Sequence, residues 1–228
     1  MQNTKTDFIR FMLSCGALKF GDFTTKSGRK TPYFINTGAY QLGSQMEKLG
    51  GFYAQALFAA HGREVDNLFG PAYKGIPLAV STVMALNRLH NLDITYTFNR
   101  KESKDHGEGG ALVGFDYAKW NQNEPCRVVL IEDVTTAGTS VRESLPLIQN
   151  GKAKVVGLVV SVDRMEKGSG DKPALREIRE EFGIATTAIA SFTDLIAFLE
   201  TEEGSEYLQR DAGLLSRMRA YREQYGAV

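Results

Sequence analysis

The sequence predicts an open, mainly parallel α/β sheet with helices on its faces. Two observations carry this expectation. From residue 65 onwards strand patterns alternate with helix patterns, as in successive βαβ units. Three of the strands are nearly continuous apolar runs, as a parallel sheet covered on both faces requires.

The elements follow in order. Residues 4–15 carry a helical repeat, with Phe8 and Met12, and Ile9 and Leu13, at i, i+4; Thr6 is a candidate cap and Gly16 a stop. Residues 17–40 predict short strands and turns, with a Ser-Gly turn in KSGRKTPYFINTG and Thr31 pushed towards extended backbone by Pro32. Residues 43–61 predict a second helix whose stripe is Met46, Leu49, Phe52, Tyr53, Ala56 and Leu57. Strands are expected at 65–70, 94–100, 127–133, 154–163 and 184–191, and helices at 75–89, 140–151, 173–183 and 193–200. Pro146 predicts a kink or a shortened first segment in the 140–151 helix. Residues 205–226 place Leu214, Met218, Tyr221 and Tyr225 on one face of a docking helix. About 26 residues between Arg100 and Arg127 show no element, and a loop of that length is usually functional or disordered.

Bulk properties narrow the function. Among 228 residues, 27 Lys and Arg balance 27 Asp and Glu, which argues against bulk electrostatic binding to nucleic acid or an anionic membrane. Cys15 and Cys126 lack metal-type spacing and suit a reducing compartment. The N-terminal MQNTKTDFIRFML has neither a long apolar core nor a small-residue cleavage site. No apolar run approaches the roughly 20 residues that span a bilayer. The expectation is a cytoplasmic soluble protein.

The chemistry concentrates in VLIEDVTTAGTS, residues 129–140. Ligands of open parallel sheets bind beyond the carboxyl ends of the strands. A turn into a helix N-terminus aims several amides in one direction, and the helix dipole favours an anion. Gly138 permits close backbone approach, and the hydroxyls of Thr135, Thr136, Thr139 and Ser140 add donors. Glu132 and Asp133 would repel a bare phosphate. They suit a ligand with hydroxyls beside its phosphate, such as a ribose 5-phosphate. The plainer alternative is that the acids only cap the loop. Against it, neighbouring acids point to opposite sides of an extended chain, and capping needs one. Neither GxxxxGK[ST] nor a GxGxxG between strand and helix is present.

VVLIEDVTTAGTS closely resembles the signature by which type I phosphoribosyltransferases bind 5-phosphoribosyl 1-pyrophosphate (PRPP). KFGDFTTKSGRKTPYFINTG, LFGPAYKGIPLA, FNRKESKDHGEGGALVG and VVSVDRMEKG resemble, in order and at suitable spacing, landmarks of the bacterial orotate members of that family. The likeness covers most of residues 8–200 and extends into the tail. It implies the family's fold in a single domain over 1–228, with 1–40 contributing to a small N-terminal hood, 65–200 forming the core sheet and 205–228 a C-terminal helix. It implies transfer of ribose 5-phosphate from PRPP to orotate, in a homodimer whose lid cations reach the neighbouring site. Mg²⁺ is implied as an ion held mainly by PRPP oxygens, with no direct protein metal site.

The resemblance also assigns residues. PRPP contacts fall on Lys26, Tyr73, Lys74, Arg100, Lys101, Lys104, His106, Glu132, Asp133 and the loop Val134, Thr135, Thr136, Ala137, Gly138, Thr139 and Ser140. Orotate contacts fall on Phe34, Ile35, Thr136 and Arg164, and the catalytic groups are Lys101, Lys104, His106 and Asp133. Each has a bland reading beside it: Lys26 as a solvated turn lysine, Phe34 and Ile35 as core, the charge run from Arg100 to His106 as solvated surface. Glycine hinges among those cations suit a lid that closes over pyrophosphate. His61 and His90, at helix ends, read as structural. A guanidinium grips a carboxylate in bidentate fashion, and a carboxylate is what separates orotate from uracil, hence Arg164. Many relatives have aspartate where Glu132 stands; Glu132 keeps the charge and lengthens the arm by one methylene. Two rival functions remain: a relative using another base, and a regulator that keeps the loop as a sensor.

Overall fold

Helix α1 (Thr4–Ser14) buries Phe8, Ile9, Phe11 and Met12. It starts at Thr4, so Thr6 lies inside the first turn and does not cap it. Gly16, at φ +68°, ends the helix, and the Ala17 amide donates to the Met12 carbonyl. Strands β1 (Leu18–Thr24) and β2 (Lys30–Ile35) then pair as an antiparallel hairpin of their own. The order continues with α2 (Gly43–His61), β3 (Asn67–Phe69), α3 (Gly75–His90), β4 (Thr95–Asn99), β5 (Leu112–Gly114) and β6 (Cys126–Val134). It ends with α4 (Thr139–Gln149), β7 (Ala153–Asp163), α5 (Ala174–Phe182), β8 (Ala185–Ser191), α6 (Phe192–Leu199), α7 (Glu202–Arg210) and α8 (Leu214–Tyr225). The structure, a computed structural model, describes residues 4–25, 28–101, 111–135, 138–149, 153–168 and 170–227.

The central sheet runs β5-β4-β3-β6-β7-β8 and is parallel except for β5, which pairs antiparallel with β4. Alternation along β6 covers both faces. Val129 and Ile131 join the cluster containing Phe8, Leu57 and Leu86, whereas Val128 and Leu130 join the one containing Val141, Leu145 and Ile178. From β3 the chain steps outward to β4; from β6 it steps the other way to β7 and β8. The crevice between β3 and β6 is therefore the topological switch point, the usual ligand position in such sheets.

Three expectations change. The stretch between Arg100 and Arg127 is not featureless: it contains β5 and a 3-10 turn at Tyr117–Lys119. Strand β5 is short and only partly buried, so it leaves almost no period-2 signal. Helix α4 contains Pro146 yet runs on to Gln149, because Val141, Leu145 and Ile148 remain buried against the sheet on both sides of the proline. The tail is two helices, not one. The chain turns at Asp211–Gly213, where the Leu214 amide donates to the Asp211 carbonyl and the Asp211 carboxylate pairs with Arg217. Leu214, Met218 and Tyr221 are buried along α8 as expected.

Candidate active site

The switch point assembles around the end of β6. Phe69, the last residue of β3, faces Leu130, so Glu132 and Asp133 extend beyond their neighbouring strand. Residues 70–74 turn the chain from β3 into α3. That turn is tight: a Cβ on Gly70 would lie 2.1 Å from the Gly75 carbonyl oxygen, and one on Gly75 would lie 2.7 Å from the Gly70 carbonyl carbon. The Ala72–Tyr73 peptide is cis, and the Ala72 amide donates to Asn99 Oδ1 at 2.8 Å. The turn sends Lys74 across the crevice, with Nζ 3.1 Å from Asp133 Oδ2. Thr37, just after β2, closes a triangle. Its hydroxyl donates to Asp133 Oδ2 at 2.6 Å and accepts from Lys74 Nζ at 3.2 Å. Asp133 Oδ1 meanwhile accepts the Val134 amide at 2.7 Å, so one oxygen caps the loop while the other faces the crevice.

The strand end is anchored from both sides. Tyr53 of α2 donates to the Glu132 carbonyl at 2.7 Å, and Ser161 of β7 donates to the Asp133 carbonyl. Burial pushes the Glu132 carboxyl up to about 7; the Ser140 hydroxyl lowers it, Asp133 raises it, and Lys74 and Lys101 lower it. Lys101, itself exposed, is thus near enough for its charge to be felt at the acid pair. The folded protein holds this proton up to about 7, whereas the unfolded chain releases it near the ordinary 4.5. Stability from this group is complete below 4.5 and is lost as pH rises through 7. Glu132→Gln is expected to remove that loss. Urea unfolding of both proteins from about pH 4.5 to about pH 7.5 checks it, and parallel pH profiles would reject the assignment.

Beyond Asp133, Thr135 is buried, and Gly138 takes φ +69° with a would-be Cβ only 2.9 Å from Ile178 Cδ1. Glycine alone suits both conditions. Helix α4 starts at once, at Thr139 and Ser140, so its unpaired amides open onto the loop.

The residues expected to meet the base begin on the hairpin of β1 and β2. Phe34 is 44% exposed and stacks on Phe23 with centroids 5.5 Å apart, leaving an aromatic surface available to a flat ring. Ile35 is partly buried against the main core. Arg164, just past β7, lies with its guanidinium 4.9 Å from the Tyr33 ring centroid. Its Nε and Nη2 are 2.9 and 2.7 Å from Glu166 Oε1. The bidentate edge expected to face a ligand is therefore turned onto Glu166. Arg100 donates its amide to the Ala111 carbonyl at 2.7 Å, so β4 and β5 close the two ends of the segment proposed as a lid. Lys26, Lys104, His106, Thr136 and Ala137 lie outside the described residues. The structure brings Lys74, Asp133 and Glu132 together. Tyr73 is 70% exposed, and Val134 lies in the last position of β6.

Sequence reasoning does not single out Thr37, Tyr53, Asn99 or Ser161. Thr37, Asn99 and Ser161 lie inside the marked segments PYFINTG, FNRKESKDHGEGGALVG and VVSVDRMEKG without standing out there, and Tyr53 reads only as part of a helix stripe.

The crevice, the loop into α4 and the paired acids define a phosphoribosyltransferase, and the phosphoribosyl transferase domain family matches residues 36–187. The orotate phosphoribosyltransferase of Lachnoclostridium phytofermentans is 52% identical over 227 residues, 99% of either chain. That of Vibrio atlanticus is 49% identical over 226 residues, 99% of this chain and 100% of its own. The crystal structure of the Francisella tularensis orotate phosphoribosyltransferase superposes with a TM-score of 0.79 at 38% identity, covering 97% of this chain and 100% of its own. The chain belongs to the orotate phosphoribosyltransferase family.

Proposed function

We propose that the chain transfers the ribose 5-phosphate group of PRPP to orotate, giving orotidine 5′-monophosphate and pyrophosphate in pyrimidine biosynthesis. The observation that carries this reading is the Thr37–Lys74–Asp133 triangle beside the N-terminus of α4. A cation, an acid and an anion cradle at one crevice suit a sugar with phosphate at one end and pyrophosphate at C1.

The 5-phosphate binds the loop and first turn of α4. The ribose hydroxyls donate to Asp133 and, when it is ionised, to Glu132. Orotate stacks at Phe34 with its carboxylate towards Arg164. The C1–oxygen bond breaks with its electron pair leaving on pyrophosphate, and the orotate ring nitrogen bonds to C1. Lys74, Lys101 and Lys104 meet the charge on the leaving group, and His106 supplies a proton or hydrogen bond. The chain needs no covalent nucleophile: alignment and exclusion of water suffice. The carboxylates and hydroxyls of the site fit a Mg²⁺ that PRPP would bring with it, and such an ion would neutralise phosphate charge.

A spectrophotometric assay with PRPP and Mg²⁺ tests the reading. Orotate absorbance should fall with time. Constant orotate absorbance, with turnover of a purine or uracil instead, sinks it. A sensor without catalysis would show neither.

A homodimer is supported by an apolar groove between α2 and α3, lined by Met46, Pro77, Val80 and Met84. Met84 is 68% exposed and Leu42, just before α2, 60% exposed, apolar side chains that a second copy would cover. If lid cations act in the partner's site, inactive Lys104→Ala and inactive Asp133→Asn proteins, mixed under subunit exchange, should regain up to roughly a quarter of wild-type activity, from the one intact site per heterodimer. Continued inactivity with exchange verified would place the lid in its own subunit's site. A cytoplasmic setting is supported by the two unpaired cysteines. Among the described residues no helix is long and apolar enough to cross a membrane.

A further inference from the structure

Glu166 lies just past β7, only 9% exposed, and takes no part in the chemistry proposed above. Five donors converge on its carboxylate. Oε1 accepts from Arg164 Nε at 2.9 Å, the Tyr33 hydroxyl at 3.1 Å and the Tyr221 hydroxyl at 2.8 Å, and Arg164 Nη2 lies 2.7 Å from it as an ion pair. Oε2 receives Arg29 Nη2 at 2.6 Å. Arg29 precedes β2, Tyr33 is within β2, Arg164 follows β7 and Tyr221 belongs to α8. The hood, the carboxyl end of β7 and the tail therefore meet at one side chain. Arg29 is held further, with its guanidinium 4.9 Å from the Tyr225 ring centroid.

We propose that Glu166 is a positioning residue for base recognition: it holds the Arg164 guanidinium by Nε and Nη2 so that Nη1 remains to meet the carboxylate of the base. The proposal rests on the orotate reading of the site. Among the described residues, Nη1 is the one Arg164 nitrogen with no hydrogen bond. Tyr33, whose ring lies against Arg164, is the neighbour of Phe34 in β2, so the pinned guanidinium and the exposed aromatic surface are set by one strand. Stability alone does not account for the cluster. Buried ion groups are often no more stabilising than apolar side chains of the same volume. Two guanidinium groups against one carboxylate leave a charge of plus one for an anionic ligand to balance. An arginine without its pin must be ordered at binding, which weakens affinity.

Two physical accounts predict opposite signs. Removing the Glu166 charge makes the cluster more positive, so attraction alone would tighten orotate binding. Loss of positioning loosens it. Glu166→Gln in the full-length enzyme should raise the KM for orotate about tenfold, the size of one charged hydrogen bond, with the KM for PRPP changing less than about twofold. Glu166→Asp keeps the charge but withdraws it by one methylene, and should give a smaller rise in the same direction. In an Arg164→Ala background, Glu166→Gln should add less than about twofold, because the group it positions is gone. Melting curves on each variant separate a general loss of fold, which lowers kcat without this pattern. An unchanged or lower KM for orotate in Glu166→Gln, or effects that multiply in the double variant, overturns the proposal. If Arg164→Ala still raises the KM for orotate in that case, the orotate reading stands without it. A wild type that consumes no orotate removes both.

Discussion

Asp133→Asn is expected to lower kcat/KM for PRPP by about a hundredfold, close to 3 kcal/mol at about 1.4 kcal/mol per decade. The variant keeps the shape and an oxygen that can accept the Val134 amide, as Oδ1 does now at 2.7 Å. It loses the charge that Thr37 and Lys74 both address at Oδ2. Ribose hydroxyls donating to a carboxylate make charge-assisted bonds of about 1.5–3 kcal/mol, and the amide makes weaker ones. The carboxylate also sits where a cation-like sugar ring would form, so part of the loss belongs to kcat. Steady-state kinetics with varied PRPP, together with a melting curve, check this. A drop below about fivefold would show that Asp133 acts as a loop cap and little else.

Gly70→Ala is expected to cost about 3 kcal/mol or more, or roughly 6–12 °C in Tm for a chain of this length. The added methyl would meet backbone, the Gly75 carbonyl at 2.1 Å, and also the Ala79 methyl at 2.9 Å. Backbone cannot rotate away, so the start of α3 must shift, and Lys74 with it. Activity should therefore fall even in molecules that remain folded. A native-like Tm with unchanged KM for PRPP would mean that the turn relaxes without moving Lys74.

Parts of this outcome are legible in the sequence because their determinants are contiguous. Strand, acid pair, glycine and helix start follow one another in VLIEDVTTAGTS, and the structure keeps them in that relation. Helix α2 spans the expected residues, since its apolar stripe is long and regular. What fails is what depends on distance or on weak periodicity. Thr37 reaches Asp133 across 96 positions of sequence, a contact set by strand order and the path of the hood. The orientation of Arg164 depends on Glu166, Tyr33 and Tyr221, which no local pattern groups together. The break at Asp211 is hidden because the helix after it restores the apolar face that the sequence shows.

The contact between Lys74 and Asp133 makes ligand entry an exchange. At rest, the group proposed to meet pyrophosphate and the group proposed to meet ribose satisfy each other. On the proposed reading PRPP parts them, and its phosphates and hydroxyls then serve each separately. When pyrophosphate departs, the lysine has a partner waiting 3.1 Å from its resting position. On that reading Asp133 is a tethered competitor of the product, and a site that attracts a highly charged leaving group carries its own means of letting it go.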